Sequence, residues 1–383
     1  MSTVKATNFQ NASSATANMV TDASGNVSFG GTAAMSSSFL RNRVINGDMR
    51  IDQRNAGAAI TPINAQYGVD RWLFSVSQAS KLTSQQSSVA PTGFINSTLI
   101  TSSSAYSVLA ADAFWWGQRI EGLNVSDLGW GTASAKTVTV SFQVYSSLTG
   151  TFGGALANSA FNRSYPFTYT VSSANTWTSV SVTIAGDTSG TWLTTNGIGI
   201  QLMFSLGTGT TYSGTAGAWA STTYVSATGA VSVVGTSGAT FYITGVQLEV
   251  GTVATPFERQ LYNAQLAQCQ RYLPAYRSEQ NNWRLPGAAV CGATNQVFAS
   301  VVFPVTTRVL PTGIVVSSAG NLSGGVDGIV ANVVFSTLVF SSAASTQTGR
   351  ILGTTATSPF TAGQSAEVEI ASGGYLYFTG CEL

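Results

Sequence analysis

A pyranose ring presents apolar C–H faces that stack on flat aromatic side chains, while neighbouring amides, hydroxyls and carboxylates take its hydroxyl groups. This chain is supplied for that chemistry. It carries eight Trp and thirteen Tyr. Trp115, Trp116, Trp130, Trp192, Trp219 and Trp283 lie near Gly- and Ser-rich stretches. Trp115, Trp116, Trp130, Trp219, Trp283, Tyr375 and Tyr377 are the candidate sugar-stacking residues. The competing reading is that each ring packs in a core, as aromatics most often do. For Trp72, which opens Trp72-Leu73-Phe74, the core reading is preferred. Asp70 and Arg71 beside it are expected to pair with each other.

Catalytic chemistry has few carriers. The chain contains no His, which removes the commonest general base, metal ligand and triad partner. Fifteen acids remain, so a carboxylate pair of the glycosidase type is the one enzymatic arrangement to weigh. Asp112 with Glu121, and Glu367 with Glu369, are the candidates. Glu367 and Glu369 alternate on one strand face, as solvated edges do, and the expectation is that the protein is not an enzyme. The Gly-rich stretches lack the Gly-Lys-Ser of a phosphate loop and read as turns.

The elements that must hold these residues are strands. Thr137-Val138-Thr139-Val140-Ser141-Phe142-Gln143-Val144-Tyr145 and Thr178-Ser179-Val180-Ser181-Val182-Thr183-Ile184 alternate with the period of a half-buried strand. Gly197-Ile198-Gly199-Ile200-Gln201-Leu202 alternates too, and its glycines mark a bulged or closely approached strand. Thr240 to Val250 reads as one long strand. The sequence predicts an all-β protein. A jelly-roll or β-sandwich module spans 39–255, and a second C-terminal β-sandwich domain spans 278–383. Between them, residues 256–277 carry a helix framed by Pro256 and Pro274. Tyr262, Leu266, Cys269 and Leu273 recur on it at spacings of 4, 3 and 4, a short heptad seam. Such a helix is too short to stand alone. It either docks on its own domain or bundles with symmetry mates, and a homotrimer is the expected assembly. Residues 1–38 are polar, with a small hairpin in which Met19-Val20-Thr21 and Val27-Ser28-Phe29 flank a Gly-bearing turn.

Charged residues are 8% of the chain and the net charge is +1, against roughly 25% charged residues in ordinary globular proteins. No basic surface of the kind that neutralises phosphates is available, so nucleic acid is not an expected partner. No apolar run approaches the roughly 20 residues of a membrane span, and no insertion is expected. Cys269, Cys291 and Cys381 fit no disulfide framework. They read as free thiols of a protein that folds in a cytoplasm.

Several segments in this order resemble bacteriophage tail-fibre and other virion-fibre proteins. Arg43-Val44-Ile45-Asn46-Gly47-Asp48-Met49-Arg50-Ile51, then Tyr67-Gly68-Val69-Asp70-Arg71-Trp72, resembles the opening of a module common in them. Val246-Gln247-Leu248-Glu249-Val250-Gly251, then Ala254-Thr255-Pro256-Phe257-Glu258-Arg259, resembles its close, and Cys269-Gln270-Arg271-Tyr272 the helix that follows. Ala6-Thr7-Asn8-Phe9-Gln10-Asn11-Ala12-Ser13-Ser14 looks like a fibre anchor. Phe303-Pro304-Val305-Thr306-Thr307-Arg308 with Pro311 is similar to the C-terminal domains of such fibres. The central module is also similar to carbohydrate-binding jelly rolls. The resemblance implies a virion protein, structural, with host-surface glycan adhesion. Residues 1–38 would contact other virion proteins and 278–383 would form the distal tip. A purely structural decoration fibre and a glycan depolymerase are the alternatives. Many such jelly rolls hold a calcium ion, for which Asp48 and Glu249 would be the acids. Calcium takes six to eight oxygens, and no metal or other cofactor is expected on so thin a set.

Overall fold

The computed structural model describes residues 8–9, 19–21, 27–28, 40–278 and 283–383, with backbone alone at 8–9, 19–21, 27–28, 343 and 344. In the N-terminal segment Met19–Thr21 pairs antiparallel with Val27–Ser28, as the hairpin reading required. Asn8–Phe9 adds on the other side of Met19–Thr21. Phe29, the turn and the rest of 1–38 lie outside the described residues.

The alternating segments form two antiparallel sheets. One runs Ser164–Val171, Gly150–Ala157, Ile198–Thr208, Ala113–Glu121, Leu73–Val76, Gln66–Tyr67. The other runs Thr178–Ile184, Val138–Ser146, Thr240–Val250, Ser97–Ser102, Leu82–Ser87. The period of two sends Phe114, Trp116, Phe152 and Phe204 inward from the first sheet, and Val140, Phe142, Val144 and Phe241 inward from the second. They interlock as aromatic pairs, with Phe142 and Phe204 at 4.9 Å and Phe152 and Phe241 at 5.9 Å between ring centroids. Trp72 is fully buried, as expected, and stacks on Trp116 at 4.0 Å. The sequence-marked strand Ile198–Thr208 shifts register at Ile198/Ile200 and again at Ser205/Gly207. A Cβ on Gly199 would lie 2.7 Å from the Gly122 Cα, so another backbone does press on it.

The opening and closing motifs of this sandwich meet in space. The Asn42 amide donates to Val246 O and accepts from Leu248 N–H. A Cβ on Gly47 would sit 2.2 Å from Val246 O, so only glycine fits there. Asn46, at φ 57°, ties Ile51 and Asp70 together through its side chain.

The helix is Tyr262–Gln270, shorter than the proline-to-proline stretch. Residues before it are drawn out by other bonds. Phe257 meets Phe94 at 5.3 Å, and Glu258 accepts from Asn42 N–H and donates its own N–H to Gln247. Of the four seam residues, Cys269 and Leu273 are buried within the chain, Leu266 is half-buried and Tyr262 is exposed. Gln265 on the same helix donates to the buried Asp48. The helix therefore docks on its own sandwich, and two of the four seam positions face inward.

Residues 275–379 form two sheets around one core of Val301, Ile351, Leu376, Phe378 and neighbours. The smaller is Ala275–Arg277, Tyr375–Thr379, Gly313–Val316. The larger has seven strands, and Leu322–Val326 at one side also pairs with Ser365–Ile370, so the sheet curls until it closes.

Candidate functional site

Two aromatic clusters stand at the surface of the sandwich. In the first, Trp130, Trp192 and Trp219 meet edge to face at 4.7–5.4 Å. Tyr165 packs on Trp219. Every indole N–H there is taken by a main-chain carbonyl: Trp130 by Lys136, Trp192 by Ser189, Trp219 by Ala185. The buried Asp187 grips Arg163 through two 2.7 Å bonds beside them. This cluster staples loops. Sequence reasoning singled out Trp130 and Trp219, and the structure brings them together with their polar tips already used.

The second cluster lies on the outer face of the five-stranded sheet. Tyr145 and Tyr242 are direct cross-strand partners, their rings 5.2 Å apart and perpendicular. Trp177 completes a triangle at 5.5 and 6.4 Å. The same row continues through Leu99 and Gln85. None of the three aromatic polar tips has a hydrogen-bond partner among the described residues. Burial, and then Tyr145 beside it, push the Tyr242 phenol above its ordinary pKa. Along the sheet the face deepens into a groove of about 390 Å³ between Gln143, Ser179, Ser181 and the Phe94–Phe257 pair. Gln143 accepts from Ser179 with its oxygen, which leaves its NH2 to the groove. The Arg259 guanidinium lies over Phe94 at 4.8 Å. Rings that stack and polar groups awaiting partners, on a rigid antiparallel sheet, can hold a chain of sugar rings.

Sequence reasoning missed Trp177, Tyr145 and Tyr242. Tyr145 and Tyr242 fall on the polar phase of their strands, which was the available signal. Trp177 sits in a Ser/Asn/Thr stretch just before a strand.

The remaining sequence candidates scatter. Trp116 is fully buried, so its faces are closed to any ligand. Trp115, on the opposite phase of the same strand, is 5% exposed and borders a cleft on the outer face of the six-stranded sheet. Trp283 is exposed at 42% and stacks on Tyr276. Tyr375 and Tyr377 stack on each other at 5.5 Å. They are covered by cations, Arg277 over Tyr375 and Arg54 over Tyr377. Arg54 belongs to the central sandwich, so this face of the C-terminal unit is turned toward that sandwich.

That contact is a charged seam. Glu382 bridges Arg71 at 2.5 Å and Arg54 at 2.9 Å. Tyr67 and Arg119 both donate to Leu383 O. Arg271 and Tyr272 hold the buried Glu121, and Arg71 lies 3.5 Å over the Tyr272 ring. The expected Asp70–Arg71 pair is therefore replaced. Arg71 turns to Glu382, and Asp70 accepts from the Gln53 main-chain and side-chain N–H groups. Burial, opposed by the charge on Arg54, raises the Asp70 carboxyl to about 7. The reason is topological: Glu382 is 311 positions from Arg71, beyond the reach of any local reading.

The acids offered for catalysis are occupied. Asp112 accepts from Ser77, Tyr106 and Leu109 N–H. It precedes the nine-residue strand that Glu121 ends. A strand of that length separates them by roughly 30 Å, far beyond the ~5–10 Å of glycosidase pairs. Glu367 and Glu369 share Arg284. The two acids named for calcium already have protein partners. Asp48 is held by Arg50 at 2.6 Å and by Gln265, and Glu249 accepts from Gln247 and twice from Thr255. No group of three metal-binding side chains occurs among the described residues.

No protein-family model and no curated protein matches this chain. Solved structures show a loose likeness to part of the chain. The enzymatically active domain of bacteriophage CBA120 tailspike protein 4 is 12% identical over 56% of this chain and 22% of its own, with a TM-score of 0.32. A family 11 carbohydrate-binding module from Clostridium thermocellum, in complex with a β-1,3-1,4-linked tetrasaccharide, is 11% identical over 51% and 97%, at 0.28. A family 61 module bound to β-1,4-galactotriose is 11% identical over 55% and 99%, at 0.29. The match thus spans about a fifth of the tailspike domain and nearly all of each binding module. No described helix is long and apolar enough to cross a membrane.

Proposed function

We propose that this chain is a glycan-binding virion-fibre protein that adheres without cleaving. One observation carries the binding reading. Trp177, Tyr145 and Tyr242 share an open sheet face with their polar tips unpaired, beside a groove edged by Gln143 and Ser179. An aromatic face of this kind stacks sugar rings, and the free amide and phenols take their hydroxyls. The virion-fibre setting, the anchor role of 1–38, the trimer and the outward placement of 278–383 rest on the sequence resemblance. The engaged state of Asp112, Glu121, Glu367 and Glu369 favours binding over hydrolysis.

Affinity electrophoresis of the full chain through gels containing bacterial surface polysaccharides tests the reading. The intact protein should be retarded by at least one of them without shortening it, and Trp177→Ala should run free. Equal retardation of both proteins would remove the sheet face as the site. Light scattering should give three chain masses per particle, and a single chain mass at all concentrations would remove the trimer.

A further inference from the structure

The opposite face of the sandwich carries a second cleft. The outer surface of the six-stranded sheet is covered by a small apolar cluster of Leu73, Trp115, Ala155, Ala157, Met203 and Val225. The cover is incomplete. A cleft of about 350 Å³ opens beside Trp115, walled by Leu73 and Val225.

Its polar groups include the Ser75, Ser77 and Thr223 hydroxyls, which donate to Asn64, Asp112 and Phe161 O, and four groups that keep an N–H or O–H free. The Trp115 indole N–H and the Tyr212 hydroxyl have no hydrogen-bond partner among the described residues. Asn64 accepts from Ser75 Oγ and from Val76 N–H with its amide oxygen, which leaves its NH2 as a donor to the cleft. Arg119 is the single charged residue on the wall among the described residues. Its Nε is steadied by Gln201 and one terminal nitrogen by Leu383 O, and its second terminal nitrogen has no described partner. No acid among the described residues lines the cleft. Asp112, nearest in sequence, is turned to Ser77, Tyr106 and the Leu109 N–H. An aromatic wall with one anchored guanidinium, free donors and hydroxyl oxygens beside it suits an anionic, hydroxyl-bearing ligand with an apolar face.

We propose that this cleft binds a carboxylate-bearing sugar residue of the uronic acid class, with its carboxylate on Arg119 and its ring against Trp115. A guanidinium fixed at two nitrogens loses little freedom when it takes a carboxylate. The phenol, the indole N–H and the Asn64 amide then donate to ring and hydroxyl oxygens. The site is independent of the sheet-face reading, since the two lie on opposite sheets.

Calorimetry of the full chain with D-glucuronic acid, D-glucose and acetate tests it. Glucuronic acid should bind at least about tenfold more tightly than either glucose or acetate, a charge-assisted bond and a ring contact each being needed. Arg119→Gln should weaken glucuronic acid by about tenfold or more. Tyr212→Phe, which removes one oxygen and leaves the wall in place, should weaken it by roughly threefold. It decides the matter if the Arg119 variant fails to fold. Equal binding of glucose would overturn the anionic assignment, and equal binding of acetate the sugar assignment. Unchanged binding in Tyr212→Phe would overturn the site. Equal retardation of the native protein and Trp177→Ala, together with intact glucuronic acid binding, would sink the sheet-face reading and leave this one standing.

Discussion

The Trp130–Trp192–Trp219 cluster and the Trp177–Tyr145–Tyr242 cluster have similar ring spacings and opposite chemistry. In the first, each indole N–H is spent on a carbonyl of a neighbouring loop. In the second, no polar tip is spent. An aromatic whose hydrogen bond is satisfied locally stabilises the loops it touches, whereas one left open on a solvent face has its bond available for a ligand or water. Exposure must be read with pairing. Trp116 also lacks a partner for its N–H, yet its ring is fully enclosed, so the unpaired group there is a cost of packing and no sign of a site.

The contrast breaks first on stability. Trp130→Ala should cost about 3–5 kcal/mol, the usual loss for a large aromatic removed from a packed position, and urea unfolding measures it. A loss under about 1 kcal/mol would put this cluster in the same class as the open one.

A pH series sharpens the difference between sealed and open regions. The Asp70 carboxyl lies in the sealed seam, raised mainly by burial from an ordinary 3.8 to about 7. The folded state then holds a proton that the unfolded chain releases. The stability from this group is complete below pH ~4 and is lost as pH rises through about 7, by up to about 4 kcal/mol. Asp112 and Glu121 are held low against burial by their donors, and they act in the opposite sense only below roughly pH 4.5. Unfolding of Asp70→Asn measured at pH 4, 6 and 8 should therefore lack the decline seen in the native protein. Parallel curves for the two would show that Asp70 ionises normally.

On the open face the effect moves from stability to binding. Trp177→Ala should change unfolding by less than about 1 kcal/mol while weakening polysaccharide retention tenfold or more, about 1.4 kcal/mol. The smallest change is Tyr145→Phe, which keeps the ring and removes the phenol oxygen. Retention should fall by roughly 0.5–1.5 kcal/mol, the worth of one hydrogen bond, with no change in unfolding. A destabilised Tyr145→Phe would mean that the phenol is bonded within the protein after all.

Local alternation determined the sheets. Val138–Ser146 and Thr178–Ile184 read as strands because a period of two is written residue by residue, and they pair directly in the structure. Burial of Trp72 and the close approach at Gly199 were legible for the same reason, since each depends on its own strand. The aromatic assignments were not. Trp115 and Trp116 are adjacent in sequence and alternate between faces, so one enters the core and the other borders a cleft. Trp177 becomes part of an aromatic cluster only because Tyr145 and Tyr242, from strands nearly a hundred positions apart, stand beside it. Cys269 and Leu273 carried a heptad spacing that fits a symmetric bundle as well as a docked helix. Docking was decided by distant partners, Asp48 for Gln265 and Glu121 for Arg271 and Tyr272. Glu382 likewise took Arg71 from Asp70 across the whole chain. Sequence alone specifies period, turn and composition, which are local. Which ring is stacked, which carboxylate is paired and which face stays open depend on neighbours that only the folded chain brings together.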